Sequence, residues 1–195
     1  MKSTTDQEVQ NDIVLSAQKL FRQFGLKKTT MDEIAADCEK AKSTIYHYFK
    51  SKEEVFEAVV DAELLNLRLH VKSHVEKHDK LASKLEAYFN EFHKEILNKV
   101  NIYRIVKQEL LGDSMSDARF KKIMEFEMSY IIRLLEDGHD SNEFSSVEKG
   151  DIPWFSETVL AAFMGIVKYS ITQGENFNRG KLERTTHMLI PKVFS

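Results

Sequence analysis

This 195-residue chain is expected to fold as an all-α protein, and three observations carry that expectation. Apolar residues recur at intervals of three and four over most of its length. Only 7 Gly and 2 Pro are present, too little turn chemistry for a sandwich or a barrel. Two S/T-x-x-E segments, Thr30-Met31-Asp32-Glu33 and Ser51-Lys52-Glu53-Glu54, read as capping boxes, each the start of a helix. The expected organisation is a head of three short helices in residues 1–52 and a helical body in 53–195.

In the head, Ile13, Ala17, Leu20, Phe21 and Phe24 lay one apolar stripe along a helix over 13–24, which Gly25 stops. The box at Thr30 opens a second helix with Met31, Ile34, Ala35 and Cys38 turned inward. Ala41, Ile45, Tyr48 and Phe49 fall at i, i+4, i+7 and i+8, which makes 42–49 a short amphipathic helix. The box at Ser51 opens a helix running to about His78, roughly 40 Å at 1.5 Å per residue. Further helices are expected over 80–98, 101–111, 116–137, 153–173 and 179–194, with 138–152 the one extended loop-like segment. The helix over 153–173 is apolar almost all round, so it is expected to be enclosed by its own core or by a partner chain.

Composition excludes several classes. With 42% hydrophobic and 30% charged positions the balance is that of a soluble globular protein. Cys38 is the one cysteine, so neither a disulfide framework nor a multi-Cys metal centre is available. The polar start MKSTTDQEVQ is no signal peptide, and no apolar run reaches the ~20 residues of a membrane span, so a cytoplasmic setting with no membrane partner is expected. No nucleophile–base pair, metal cluster or phosphate-cradling Gly loop is visible; no catalytic residue and no cofactor is assigned, and the chain is not expected to be an enzyme. Net charge is −3, but residues 1–52 hold nine Lys/Arg against seven Asp/Glu, and the rest nineteen against twenty-four. A basic head sits on an acidic body.

Three short helices within 50 residues, the last two joined by a tight turn, suggest a helix-turn-helix. With Ile45, Tyr48 and Phe49 inward, Lys42, Ser43, Tyr46, His47 and Lys50 face outward. Lys reads guanine edges or grips phosphate, and Ser, Thr and Tyr hydroxyls reach base edges or backbone. Helix N-termini at Thr30 and Ser51, with Lys27, Lys28 and Lys52 near them, favour phosphate oxygens. A helical scaffold or adaptor without DNA binding is the alternative; it explains a bundle but not the acid-free basic segment 40–52.

Residues 10–60 resemble the tetracycline-repressor (TetR) family of transcriptional regulators, above all Thr30-Met31-Asp32-Glu33-Ile34-Ala35 and Ser43-Thr44-Ile45-Tyr46-His47-Tyr48-Phe49-Lys50-Ser51-Lys52-Glu53-Glu54. The resemblance implies a homodimeric repressor on a near-palindromic double-stranded operator, released by a small-molecule effector bound in the body. Carried over residue by residue, it implies DNA contacts at Lys42, Ser43, Thr44, Tyr46, His47 and Lys52, to which the helix N-terminus reading adds Lys28 and Thr30. Where the family commonly has Gly-Val-Ser before its reading helix, this chain has Glu39-Lys40-Ala41. Any positive φ there is strained without Gly, and the usual Ser N-cap is missing. The same resemblance implies an effector cavity for an apolar or aromatic molecule, for which Phe89, Phe92, Tyr103, Phe126, Tyr130 and Phe163 are the candidates. It also implies pairing through the last two long helices, for which Phe155, Val159, Ala162, Phe163, Ile166 and Leu189 are the candidates; Ala161 and Gly165, four apart, would admit a close partner helix.

His70, His74 and His78 recur at i, i+4, i+8 on one drifting face of the long helix, a spacing that could share a metal ion. Such histidines are more often independent and wet, no partner to orient their rings is identifiable from sequence, and no metal is assigned. Glu136 and His139 form a single E-x-x-H, short of a di-iron set.

Overall fold

The computed structural model describes residues 4–102, 117–174 and 178–193. Among these are eight α-helices: α1 (Thr4–Phe24), α2 (Met31–Asp37), α3 (Lys42–Tyr48), α4 (Lys52–Val75), α5 (Leu81–Ile102), α6 (Asp117–Asp140), α7 (Ile152–Gln173) and α8 (Arg179–Val193). A 3-10 turn, Lys149–Asp151, leads into α7. No helix among the described residues is long and apolar enough to cross a membrane. The expected helix over 101–111 lies, apart from its first two residues, outside the described residues, as does Tyr103.

The chain forms two compact units, a head that comprises Met1–Asn66 and Ile102–Ile105 and a body that comprises Leu67–Asn101 and Val106–Ser195, so α4 contributes residues to both. In the head, Ile13, Ala17, Leu20 and Phe21 of α1 meet Met31, Ile34 and Ala35 of α2, Ile45 of α3 and Val55, Phe56 and Val59 of α4 as buried residues. Phe21 and Phe56 pack edge to face with centroids 5.8 Å apart. The buried Glu63 carboxylate accepts from Gln18 and Arg22, tying α4 to α1 by charge as well as by apolar contact.

Four expectations for the head are corrected. α1 starts at Thr4 rather than 13, because its first turns are polar and leave no apolar stripe to read. Phe24 is 50% exposed: it is the last residue of α1, and the stripe ends one turn earlier at Phe21. Ala41 is exposed because it is the N-cap of α3, outside the helix, where the i, i+4 spacing to Ile45 no longer fixes direction. Cys38, the C-cap of α2, is only half-buried.

The body core gathers Leu67, Val71 and Val75 of α4, Leu85, Tyr88, Phe89, Phe92 and Ile96 of α5, Ile131 and Leu135 of α6, and Leu160, Phe163 and Val167 of α7. α6 runs to Asp140, past the expected end at 137, and Gly138 explains part of this. A Cβ there would lie 2.4 Å from Leu81 Cδ2, so the glycine is a point of close approach between α6 and α5 rather than a helix stop. Just beyond, the Glu143 carboxylate accepts the Leu81 amide at 2.9 Å and caps α5. The helix expected to be enclosed by its own core or by a partner chain is α7, and its own core covers one side: Ile152, Ser156, Leu160, Phe163, Val167, Ser170 and Ile171 are buried, while Trp154, Ile166 and Tyr169 stand exposed.

Candidate nucleic-acid interface

Thr30 makes the full capping box: its hydroxyl accepts the Glu33 amide at 3.2 Å, and Glu33 accepts the Thr30 amide at 2.8 Å. α2 then ends in a Schellman motif. The Glu39 amide donates to Ala36 O (3.2 Å) and the Lys40 amide to Ala35 O (3.0 Å), with Glu39 at φ +54°. A glutamate therefore occupies the left-handed position that glycine normally fills, the strain anticipated for this turn. α3 follows from Ala41, which gives no side-chain cap.

The turn aims α3 so that Ile45 and Phe49 point into the core while Lys42, Ser43, Tyr46, His47 and Lys50 lie exposed. Thr44 and Tyr48 are half-buried at the edge, and the Tyr48 hydroxyl donates to Asp6 at 2.9 Å, fastening α3 to the start of α1. Asp6 holds the Tyr48 pKa above its ordinary value through that hydrogen bond. Lys28 and Thr30 are exposed at the approach to α2.

The cations of this face are not equally free. Lys42 Nζ is paired with Asp32, 2.7 Å from Oδ1, and the hydrogen bond and charge of Asp32 raise the lysine's pKa above its usual value. Lys50 Nζ folds back onto Tyr46 O and His47 O (2.9 and 3.3 Å), satisfying carbonyls at the end of α3. Lys52 donates to Leu26 O and Thr29 O (2.8 and 2.9 Å) and so braces the α1–α2 connection from the first turn of α4. An ammonium has three N–H donors, which leaves Lys52 one more. Ser51 accepts the Glu54 amide at 3.2 Å, while Glu54 reaches back to the Lys50 amide rather than to that of Ser51. Lys50 and Lys52 as braces were missed by sequence reasoning, since spacing shows which side a residue faces but not which distant carbonyl it meets.

Residues 13–59 match the model for bacterial regulatory proteins of the tetR family. Over those residues the chain is similar to the tetR family. Its regulators are transcriptional, and the matched residues span α1 to α4, the helices that build the exposed α3 face. The chain is 43% identical over 56 residues to an uncharacterized HTH-type transcriptional regulator of Bacillus subtilis (strain 168), YhgD, a match covering 29% of each protein. It is 24% identical over 144 residues to a second from the same strain, YfiR, covering 71% of this chain and 69% of that one. Its fold is shared with the transcriptional regulator FadR from Bacillus subtilis in complex with stearoyl-CoA, at TM-score 0.68 and 14% identity, over 94% of this chain and 98% of that one.

In the body, the candidate pocket residues are not equivalent. Phe89, Phe92 and Phe163 are buried ring against ring, with centroids 4.8 Å (Phe89–Phe163) and 5.6 Å (Phe92–Phe163) apart. Tyr130 is half-buried and stacks on Tyr88 at 5.4 Å. Phe126 is 49% exposed and lies under the Arg68 guanidinium. Of the pairing candidates, Ala162, Ile166 and Leu189 are exposed, Phe155 and Val159 half-buried, and Phe163 is directed into the core.

Proposed function

We propose that this regulator is a repressor that binds a near-palindromic operator as a homodimer and leaves it when an apolar small molecule enters the body. The observation that carries the reading is the outward row on α3: Lys42, Ser43, Tyr46 and His47 together, behind an α2 that ends in a tight turn. These side chains suit a major groove, and the exposed Lys28 and Thr30 suit phosphates at its edge. Lys52 has a donor left for one more phosphate while holding the turn.

Pairing is supported by the outer faces of α7 and α8. Trp154 (72% exposed), Ile166, Tyr169, Met188 and Leu189 are large apolar residues left to solvent, and clustered apolar exposure marks an interaction surface. Nothing lies within 4 Å of a Cβ placed on Gly165, so a partner helix could come close there. A two-fold dimer would place two α3 helices about 34–36 Å apart, one helical turn of DNA. For the effector, the aromatic-rich body and the fold shared with a stearoyl-CoA complex favour a long-chain acyl class. Release would run through α4, the helix with residues in both head and body. The effector must bind the released conformer better, with a coupling of about 1–3 kcal/mol typical of such systems.

Fluorescence anisotropy with DNA flanking the chain's own gene tests the reading. Binding should saturate at two chains per site, weaken in Tyr46→Phe and Lys42→Ala, and reverse on adding stearoyl-CoA. Parent-like binding by both variants removes the α3 contact map. Independent binding of DNA and acyl-CoA removes the release mechanism.

A further inference from the structure

The body brings two histidines of α4 onto an acidic stretch of α5. His70 Nε2 lies 3.2 Å from Glu91 Oε2 and 3.9 Å from Glu95 Oε1, and the His70 and His74 rings stand with centroids 4.4 Å apart. One ligand atom from each of His70, His74 and Glu91 falls within 4.8 Å of the others. His78, the third histidine of the sequence pattern, is not among them: α4 ends at Val75 and His78 is exposed beyond it.

We propose that His70, His74 and Glu91, with Glu95 as the fourth ligand, form a site for one divalent transition ion of the zinc class. Two imidazoles and one or two carboxylates are the donor set such ions take. Four ligands at about 2.0–2.1 Å in a tetrahedron lie about 3.3 Å from one another, and the His70–Glu91 pair already has that spacing. His74, whose ligand atom lies within 4.8 Å of the other two, closes the remaining gap of at most about 1.5 Å by a χ rotation.

One hydrogen bond beyond the ligating atoms favours the assignment. His74 Nδ1 is 2.9 Å from His70 O; a carbonyl only accepts, so Nδ1 carries the proton and Nε2 is left with its lone pair. That is the outer-shell hydrogen bond which fixes the tautomer of a metal-binding histidine. His70 Nε2 donates to Glu91 at 3.2 Å, and an ion taking its place releases that proton to solvent. Lys94, 3.0 Å from Glu91 Oε2, supplies the positive charge that an ion would displace.

Titration of the full, untagged chain with Co2+ followed by its visible d–d bands, with Zn2+ as competitor, tests the site. The expected result is one Co2+ per chain with tetrahedral intensity, displaced by Zn2+, weakened about tenfold or more in His74→Ala and Glu91→Gln. Affinity should be unchanged in His78→Ala and several-fold tighter in Lys94→Ala, which removes the competing ammonium. No saturable binding, or binding that survives both His74→Ala and Glu91→Gln, overturns the site. If either ligand variant lacks the parent's helical circular dichroism, Lys94→Ala decides: tighter binding upholds the site, and unchanged or weaker binding overturns it.

Discussion

Lys42 and Asp32 face each other across the helix-turn-helix, with Nζ 2.7 Å from Oδ1 and 3.0 Å from Oδ2. The pair is well exposed, so water and salt weaken it, and it holds Lys42 without consuming it. It also puts a carboxylate beside the first residue of the α3 face. A phosphate or a guanine edge must take Lys42 from Asp32.

Asp32→Asn should therefore tighten DNA binding, by about two- to tenfold at low salt, because the lysine is released and an anion is removed from the approach of the phosphates. Lys42→Ala should weaken binding and, if its partner is a phosphate, flatten the plot of log affinity against log salt by about one. An anisotropy series over salt measures both. Weaker binding in Asp32→Asn would mean that Asp32 holds Lys42 in its DNA-facing rotamer rather than competing for it.

Glu39 at φ +54° is a position where a side chain costs about 1–2 kcal/mol in backbone crowding. Glu39→Gly removes that crowding at the cost of some chain entropy, so the head should gain on the order of 1 kcal/mol. Denaturant unfolding followed by far-ultraviolet circular dichroism reads the change. A loss of stability would show that the carboxylate makes a compensating contact at the turn.

Much of the head was legible because its signals are local. The box at Thr30, the stop at Gly25 and the Ile45–Phe49 face each depend on residues within one or two turns, and the sequence states those directly. The turn's strain was legible too, since Glu39 stands where glycine is expected. What spacing could not supply was distance across the chain: Lys52 on the Leu26 and Thr29 carbonyls, or Glu91 beside His70, 21 positions away. The same limit explains α7. Its composition is apolar all round, and only the contacts of α5 and α6 decide that Phe163 turns inward while Trp154 and Ile166 do not.

Lys52 spans from α4 to two carbonyls of the α1–α2 connection, so its loss should be felt before any DNA is present. Lys52→Met keeps most of the stem and removes the ammonium. Hydrogen bonds to a charged group contribute about 1.5–3 kcal/mol, and the carbonyls can recover water, so a loss near the lower end is expected. Calorimetry should show a lowered melting temperature, and DNA affinity should fall uniformly across sequences. A variant that melts like the parent but binds DNA poorly would make Lys52 a phosphate contact alone.

Tyr88 and Glu127 share a buried polar contact of the body. The Tyr88 hydroxyl donates to Glu127 Oε2 at 2.8 Å, and Arg68 Nε donates to Oε1 at 2.8 Å, with Tyr88 and Glu127 both buried. Burial, then the charge of Glu127, pushes the Tyr88 pKa well above its ordinary value, so the phenol remains a donor at any physiological pH. Tyr88→Phe leaves the ring in the core but deprives a buried carboxylate of one of its two donors. An unsatisfied buried group costs about 1–3 kcal/mol, and a charged one lies toward the upper end. Glu127→Gln in the Tyr88→Phe background removes the stranded charge and should recover part of the loss. Denaturant melts of the two single variants and the double variant close the cycle. Strict additivity would mean that the two groups do not act as a pair.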